Sequence, residues 1–317
     1  MPSQSTISTS NTKTGNDKIE REMKSPQSAV QDNPTRDKLP ATTAHVEVTE
    51  IRGMPIHVIS LQQTVNYIVD SCRSGAGGWV VTPNLDILRR FKKSASFRNL
   101  VATSTLNVAD GMPLVWASRI KGHPVPERVN GTDLMVELCE AASEPGLSVY
   151  FLGGNSGTAD KTADEMEERF PHLEVAGTLC PDFGFESDLE SLDWIASEIA
   201  AANPDIVFVG LGSPKQDVLI NMLRLKFPNI WWLGVGVSFS FVAGELVRAP
   251  EWAKKNGFEW IFRLFVEPKR LAKRYLVHGL PFFATTVVAC LYQRIFEPAE
   301  TDAAETPNPT DQRMAVR

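Results

Sequence analysis

Residues 205–216 read DIVFVGLGSPKQ. An apolar run, Ile206 to Val209, ends at glycine, passes through a Ser-Pro turn and opens a helical pattern at Lys215 and Gln216. A run this short, bounded by turn signals, fits a strand buried on both faces. The same grammar recurs on either side, in WVVTPN (79–84), LNVADG (106–111), SVYFLGG (148–154), LEVAGT (173–178) and IWWLGVGVSF (230–239). Helical patterns such as GTADKTADEMEERF and DLESLDWIASEIAAAN lie between them. Strands alternating with helices imply an α/β fold, a Rossmann-like, mainly parallel sheet with helices on both faces. Ligands of such sheets sit outside the carboxyl ends of the strands. The polar residues that end the runs are therefore expected to converge: Thr82, Asn84, Asp110, Asn155, Ser156, Lys215 and Gln216.

Upstream, HVEVTEIRGMPIHVIS (45–60) alternates around Arg52-Gly53, which predicts two short strands and a turn. LQQTVNYIVDSCRSG follows with a helical period through Leu61, Val65, Ile68 and Val69, and Gly75 as its stop. Residues 1–44 are rich in Ser, Thr, Asn, Gln and Lys and hold no aromatic residue. They cannot bury enough apolar surface to offset their ordering entropy, so a disordered arm is expected there. The tail 297–317 reads the same way. The expected organisation is an arm (1–44), an α/β catalytic domain (45–247), a C-terminal appendage (248–296) and a tail.

Hydrophobic residues make up 43% and charged residues 22% of the 317, a globular balance that allows one large or two small domains. The formal net charge of −6 leaves no global footprint for nucleic acid. The four cysteines, Cys72, Cys139, Cys180 and Cys290, form no CxxC and have no histidine at ligand spacing. A zinc site or disulfide framework is not expected, and a reducing compartment fits. The N-terminus has no apolar core of a secretory signal.

After Gly244 the composition shifts. Between Glu251 and Tyr275 there are seven Lys/Arg and three Glu, interleaved with aromatics. Pro268 is placed to start a helix, which puts Arg270 and Arg274 on one face. Then comes YLVHGLPFFATTVVACLY (275–292), nearly long enough to span a bilayer but interrupted by His278, Gly279 and Pro281. A basic-aromatic stretch leading into an apolar run suits an element lying on or re-entering an anionic membrane surface. The stripe of Trp252, Phe258, Trp260 and Phe262 reads as core or membrane packing.

Several stretches carry candidate chemistry. Asp110, at the end of an apolar run, suits a partly desolvated general base, against the plainer reading as N-cap of the helix that follows. Arg128 puts a fixed charge in the Pro- and Gly-punctuated loop before Asn130. GGNSGT (153–158) offers Gly153, Gly154 and Asn155 as a phosphate-cradling turn, or is a plain tight turn. In GLGSPKQD, Lys215 could meet phosphate and Gln216 a sugar or base, against a simple capped loop. Thr82 and Asn84 of TPN suit polyol recognition, or form a turn. No DxD pair follows a strand to hold a divalent metal. A diphosphate would then be met by the C-terminal arginines, whose planar guanidinium suits phosphate.

In order along the chain, VVTPNLDILRR, ADGMPLVWASRIKGHPVPERVNGTDL, FLGG, GLGSPKQD and RAPEWAKKNGFEWIFRLFVEPKRLAKRY resemble the WecG/TagA/CpsF glycosyltransferases (glycosyltransferase family 26). The likeness covers about residues 46 to 276. It implies a bacterial, inverting transferase that needs no metal or other cofactor. Such enzymes move a sugar from a UDP-sugar to a polyprenyl-diphosphate-linked saccharide at the cytoplasmic face of the inner membrane, in cell-envelope or exopolysaccharide synthesis. It also implies Asp110 as base and Thr82, Asn84, Arg128 and Gln216 as pocket residues. The cationic appendage would close over the site through Arg263, Arg270 and Arg274. Asp217 departs from the family's more frequent Glu. A non-catalytic nucleotide-sugar-binding scaffold is the alternative; a Rossmann oxidoreductase is disfavoured because no GxGxxG opens the first strand–helix unit. The sugar, the acceptor and any homo-oligomeric state stay open.

Overall fold

A computed structural model describes residues 46–250, 252–253 and 257–296, so the expected arm and tail lie outside the described residues. The chain opens with an antiparallel hairpin, β1 (Val48–Ile51) and β2 (Met54–His57). Arg52 and Gly53 both have positive φ, 57° and 83°, the signature of the two-residue turn whose twist matches its strands. The hairpin packs Ile51, Met54 and Ile56 inward. His57 accepts a hydrogen bond from the Asn107 amide, tying β2 to the strand that leads to Asp110.

The main sheet has six strands: β3 (Gly78–Val81), β4 (Leu106–Asn107), β5 (Ser148–Gly153), β6 (Glu174–Leu179), β7 (Ile206–Gly210) and β8 (Trp231–Gly234). Their order is β4-β3-β8-β7-β5-β6 and every pairing is parallel. Alternation along each strand feeds two cores. Ile206 and Phe208 of β7 enter one, Val207 and Val209 the other.

The first core is closed by α1 (Leu61–Arg73), α5 (Gly131–Ser143) and α6 (Thr158–Arg169). The opposite core is closed by α2 (Leu85–Lys93), α3 (Ala95–Val101), α4 (Met112–Lys121), α7 (Leu189–Ala202) and α8 (Lys215–Leu223). Both faces are covered, as expected for strands that read as continuous apolar runs. Local chemistry starts these helices where the sequence permits. Ser60 and Gln63 form a capping box on α1, and Asn84, Asn130 and Asp188 cap α2, α5 and α7.

Beyond β8 lie α9 (Ser238–Val242), α10 (Glu259–Val266), α11 (Pro268–Ala272) and α12 (Leu280–Phe296). Pro268 does open α11. His278, Gly279 and Pro281 do not break the apolar run. Lys273–Gly279 is a π-helical turn that runs directly into α12. The Leu280 amide reaches back to the Tyr275 carbonyl, a wider turn that leaves room for the proline ring and its missing N–H. The helix over Lys273–Phe296 is long and apolar enough to cross a membrane. One face packs along α4, with Phe283 against Trp116, Cys290 buried and Arg294 donating to the Ile120 carbonyl. The other face exposes Val288, Leu291, Tyr292 and Ile295.

Candidate active site

Asp110 is fixed by backbone rather than by its side chain. Beyond β4, the Val108 amide bonds to the Val81 carbonyl at 3.0 Å, and the Asp110 amide to the Pro83 carbonyl at 2.8 Å. On the other side the Val129 amide bonds to the Ala109 carbonyl at 2.8 Å. The residue is thus clamped between the loop after β3 and the loop carrying Arg128. The helix that follows is capped by Gly111, at φ 116°, with no side-chain cap bond. A β-carbon there would strain the backbone, so glycine is required. Asp110 therefore does not cap α4. Its carboxylate makes no hydrogen bond among the described residues and faces a cavity of about 270 Å³.

Burial pushes the Asp110 carboxyl up to about 7. Arg128 opposes this, Glu259 adds to it, Arg263 opposes it and Asp133 adds to it. A carboxylate that exchanges a proton near neutrality is matched to general-base work.

Arg128 faces the same cavity with its side chain 14% exposed. Its guanidinium bonds the Glu259 carboxylate at 2.5 Å and lies 3.9 Å from Asp133. Asp133 is also paired with Arg248, and Asn130 caps the first turn of α5 beneath them. From the C-terminal side, Arg263 lies 5.4 Å over the Phe241 ring, and Trp260 meets Tyr275 edge to face. Arg89 and Arg274 share Asp86, at 3.1 and 3.6 Å. All of these except Asp133 and Arg248 line the cavity, together with Asn84 and an apolar wall of Met112, Trp116, Leu280 and Phe283.

The structure thus brings together Asn84, Asp110, Arg128, Arg263 and Arg274. The Arg270 side chain lies outside the described residues. The other expected residues stand apart from the cavity lining. Thr82 is buried, and its hydroxyl donates to the Gly234 carbonyl, joining β3 to β8. Gln216 is buried too; its carbonyl oxygen accepts from the Gly212 and Gly236 amides at 3.0 Å each. It pins two loops under the cavity, and a β-carbon at Gly234 would meet its amide at 2.5 Å. Lys215 is paired with Glu186 and sits over the Phe183 ring.

Gly153 and Gly154 lie at the carboxyl end of β5, where the Gly154 amide bonds to the Gly210 carbonyl. A carboxylate of the chain stands at this turn. Glu245 accepts from the Thr158 hydroxyl at 2.9 Å and from Ser240 at 3.0 Å. The Thr158 bond, with help from Ser240, Lys161 and Asn155, holds its carboxyl below the usual range. Glu245 thus sits beside Thr158, the first residue of α6. Asp217 points away from the cavity towards Arg90 and Ser213, its carboxyl pushed up to about 6 by burial.

The sequence reading missed Asp86, Arg89 and Glu259. A signal for the first two was present: Asn84 caps α2, which fixes Asp86 and Arg89 three apart on one helical face. Nothing local points to Glu259, whose place depends on how the appendage docks. Among the described residues, no group of three or more His, Cys, Asp or Glu is placed to hold a metal ion.

Residues 49–295 match the model of the glycosyl transferase WecG/TagA/CpsF family. The chain belongs to that family. It is 30% identical over 212 residues to an N-acetylglucosaminyldiphosphoundecaprenol N-acetyl-beta-D-mannosaminyltransferase of Bacillus spizizenii, covering 67% of this chain and 79% of the relative. A protein of the same name from Bacillus subtilis is 29% identical over the same shares. One from Staphylococcus aureus is 29% identical over 65% of this chain and 77% of its own. As a WecG/TagA/CpsF member the chain is a glycosyltransferase, and the matched region takes in both the α/β core and most of the C-terminal segment.

Proposed function

We propose that this family member is an inverting transferase. It moves an N-acetylhexosamine or related hexose from a UDP-sugar to a saccharide carried on polyprenyl diphosphate, for envelope or exopolysaccharide synthesis. The names of the relatives favour an N-acetylmannosaminyl donor and an N-acetylglucosaminyl-diphosphate-lipid acceptor. The observation that carries the reading is Asp110: a carboxylate without a hydrogen bond among the described residues, raised to about 7 by burial, in a cavity ringed by arginines.

Asp110 takes the proton of the acceptor hydroxyl as that oxygen bonds to the anomeric carbon. The carbon–oxygen bond to the UDP breaks with its electron pair, leaving the diphosphate negative. Arg128 and Arg263 stabilise that charge in place of a metal. Arg270 joins them through the family resemblance alone. Asn84 meets sugar hydroxyls at the mouth, whereas Thr82 and Gln216 act from beneath by fixing the loops. Gly153, Gly154, Asn155 and Lys215 take part only through donor contacts outside the cavity. The exposed apolar face of α12 rests on the cytoplasmic leaflet. Its other face is fastened to α4, which supports lying on the bilayer over spanning it.

The test is a panel of UDP-sugars with a lipid-linked N-acetylglucosaminyl diphosphate, with products analysed for mass and linkage. Transfer of one sugar with inversion, absent in Asp110→Asn, is the expected result. No transfer from any UDP-sugar overturns the assignment.

A further inference from the structure

The cavity around Asp110 holds two separate sets of cations. The charges that act most strongly on Asp110 are Arg128, Glu259, Arg263 and Asp133. The second set is Arg89 and Arg274, joined through Asp86. Arg89 comes from the core helix α2, and Arg274 from the π-helical turn that leads into α12. The two elements meet directly, Leu85 lying against Gly279. Two guanidinium groups on one carboxylate leave a net positive charge. Most of their N–H forks remain unused, since Arg89 gives Asp86 one bond at 3.1 Å and Arg274 stands at 3.6 Å.

This second set also has an apolar neighbour. Leu280 and Phe283 open α12, Phe283 meets Trp116 at 6.0 Å, and all three line the cavity. The same helix continues to the exposed Val288, Leu291 and Ile295. The Arg89–Arg274 pair thus has apolar side chains beside it in the cavity, on a helix that also carries exposed apolar side chains. A transfer between a nucleoside diphosphate sugar and a sugar-diphosphate lipid brings two diphosphates to one base. Their like charges need separate cations, and only one of them carries a hydrocarbon chain.

We propose that Arg89 and Arg274 bind the diphosphate of the lipid-linked acceptor, with the first prenyl units along Trp116, Leu280 and Phe283. This rests on the transferase reading. Arg128 and Arg263 then serve the donor. Asp86 orients both arginines and keeps the pair from repelling.

Equilibrium binding separates the two sites without turnover. The probes are UDP and N-acetylglucosaminyl diphosphate bearing a short prenyl chain. Arg89→Ala weakens the prenyl probe by roughly 10- to 100-fold, the loss of one charge-assisted hydrogen bond. UDP affinity stays within about twofold in that variant, and Arg89→Lys recovers part of the loss because it keeps the charge but not the fork. Melting temperatures of the variants exclude misfolding. Equal weakening of both probes, weakening of UDP alone, no effect, or no binding of the prenyl probe by the wild type each overturns the subsite. Turnover in the same preparations reports on the transferase reading separately. Transfer with an indifferent Arg89→Ala sinks the subsite alone. Arg89-dependent binding without transfer sinks the transferase reading alone.

Discussion

Asp110→Asn should make the protein more stable while it destroys turnover. The carboxyl rises from 3.8 to about 7 on folding, chiefly through burial. That is about three pKa units, and at about 1.4 kcal/mol per unit the ionised side chain costs the fold up to about 4 kcal/mol. The residue keeps partial contact with the open cavity, which reduces the figure to roughly 1–2 kcal/mol. The sign follows from linkage. The folded pKa lies above the unfolded one, so no penalty exists below about pH 4. The penalty grows as pH rises towards about 7 and is complete above it. Asparagine carries no charge at any pH. Its stability advantage should therefore be near zero at pH 4 and full at pH 8, where it raises the melting temperature by roughly 2–8 °C. Turnover should fall by about 10²- to 10⁴-fold, the usual contribution of a general base. Wild-type kcat/KM should drop as pH falls below about 7, as the base becomes protonated. Calorimetric melting at pH 4 and pH 8, beside product formation, measures both effects. A pH-independent gap in melting temperature, or turnover within tenfold of wild type, would refute the reasoning.

Three further perturbations probe the same architecture. Glu259→Gln removes a negative charge that raises the Asp110 pKa, so the acidic limb of the kcat/KM profile should move to lower pH; an unmoved limb removes Glu259 from the base's electrostatics. Gln216→Ala strips the Gly212 and Gly236 amides of their acceptor and should lower stability by about 1–3 kcal/mol in denaturant titrations. Truncation after residue 250 removes Glu259, Arg263, Arg274 and α12 and should abolish both turnover and sedimentation with vesicles; a truncated protein that still sediments places the anchor elsewhere.

The parallel sheet was legible because its strands are buried on both faces and appear as uniform apolar runs between helical periods. The hairpin was legible because Arg52-Gly53 sits between alternating residues. Asp110 and Asn84 were legible because strand ends mark where loops carry polar side chains. Thr82 and Gln216 end strands and open helices in the same way, yet they point into the framework. The sequence does not encode which way a loop side chain turns. That depends on partners far along the chain, here Gly234 and Gly236. The carboxylate beside the glycine-rich turn 153–158 was hidden for a related reason, because Glu245 lies 87 residues from Thr158. The π-helical turn was hidden because Gly and Pro signal interruption, and only packing against α4 shows that the helix continues.

The cavity belongs to two parts of the chain, and this constrains how the protein works. The α/β core supplies Asn84, Arg89, Asp110 and Arg128; the C-terminal segment supplies Glu259, Trp260, Arg263, Arg274, Leu280 and Phe283. Neither part alone surrounds Asp110. The raised proton affinity of the carboxyl comes first from burial, and much of the covering material is C-terminal. Undocking the segment would wet Asp110, return it towards an ordinary carboxylate and weaken it as a base. On the proposed reading it would also remove Arg263 from the departing diphosphate. The segment is held by the Arg128–Glu259 pair at one end and by α12 along α4 at the other. Packing α12 against α4 turns the unburied apolar side of α12 outward. The contact that completes the cavity is thus the one that turns an apolar face outward. On the proposed reading, a base of the right strength exists only where a lipid-linked acceptor can be reached.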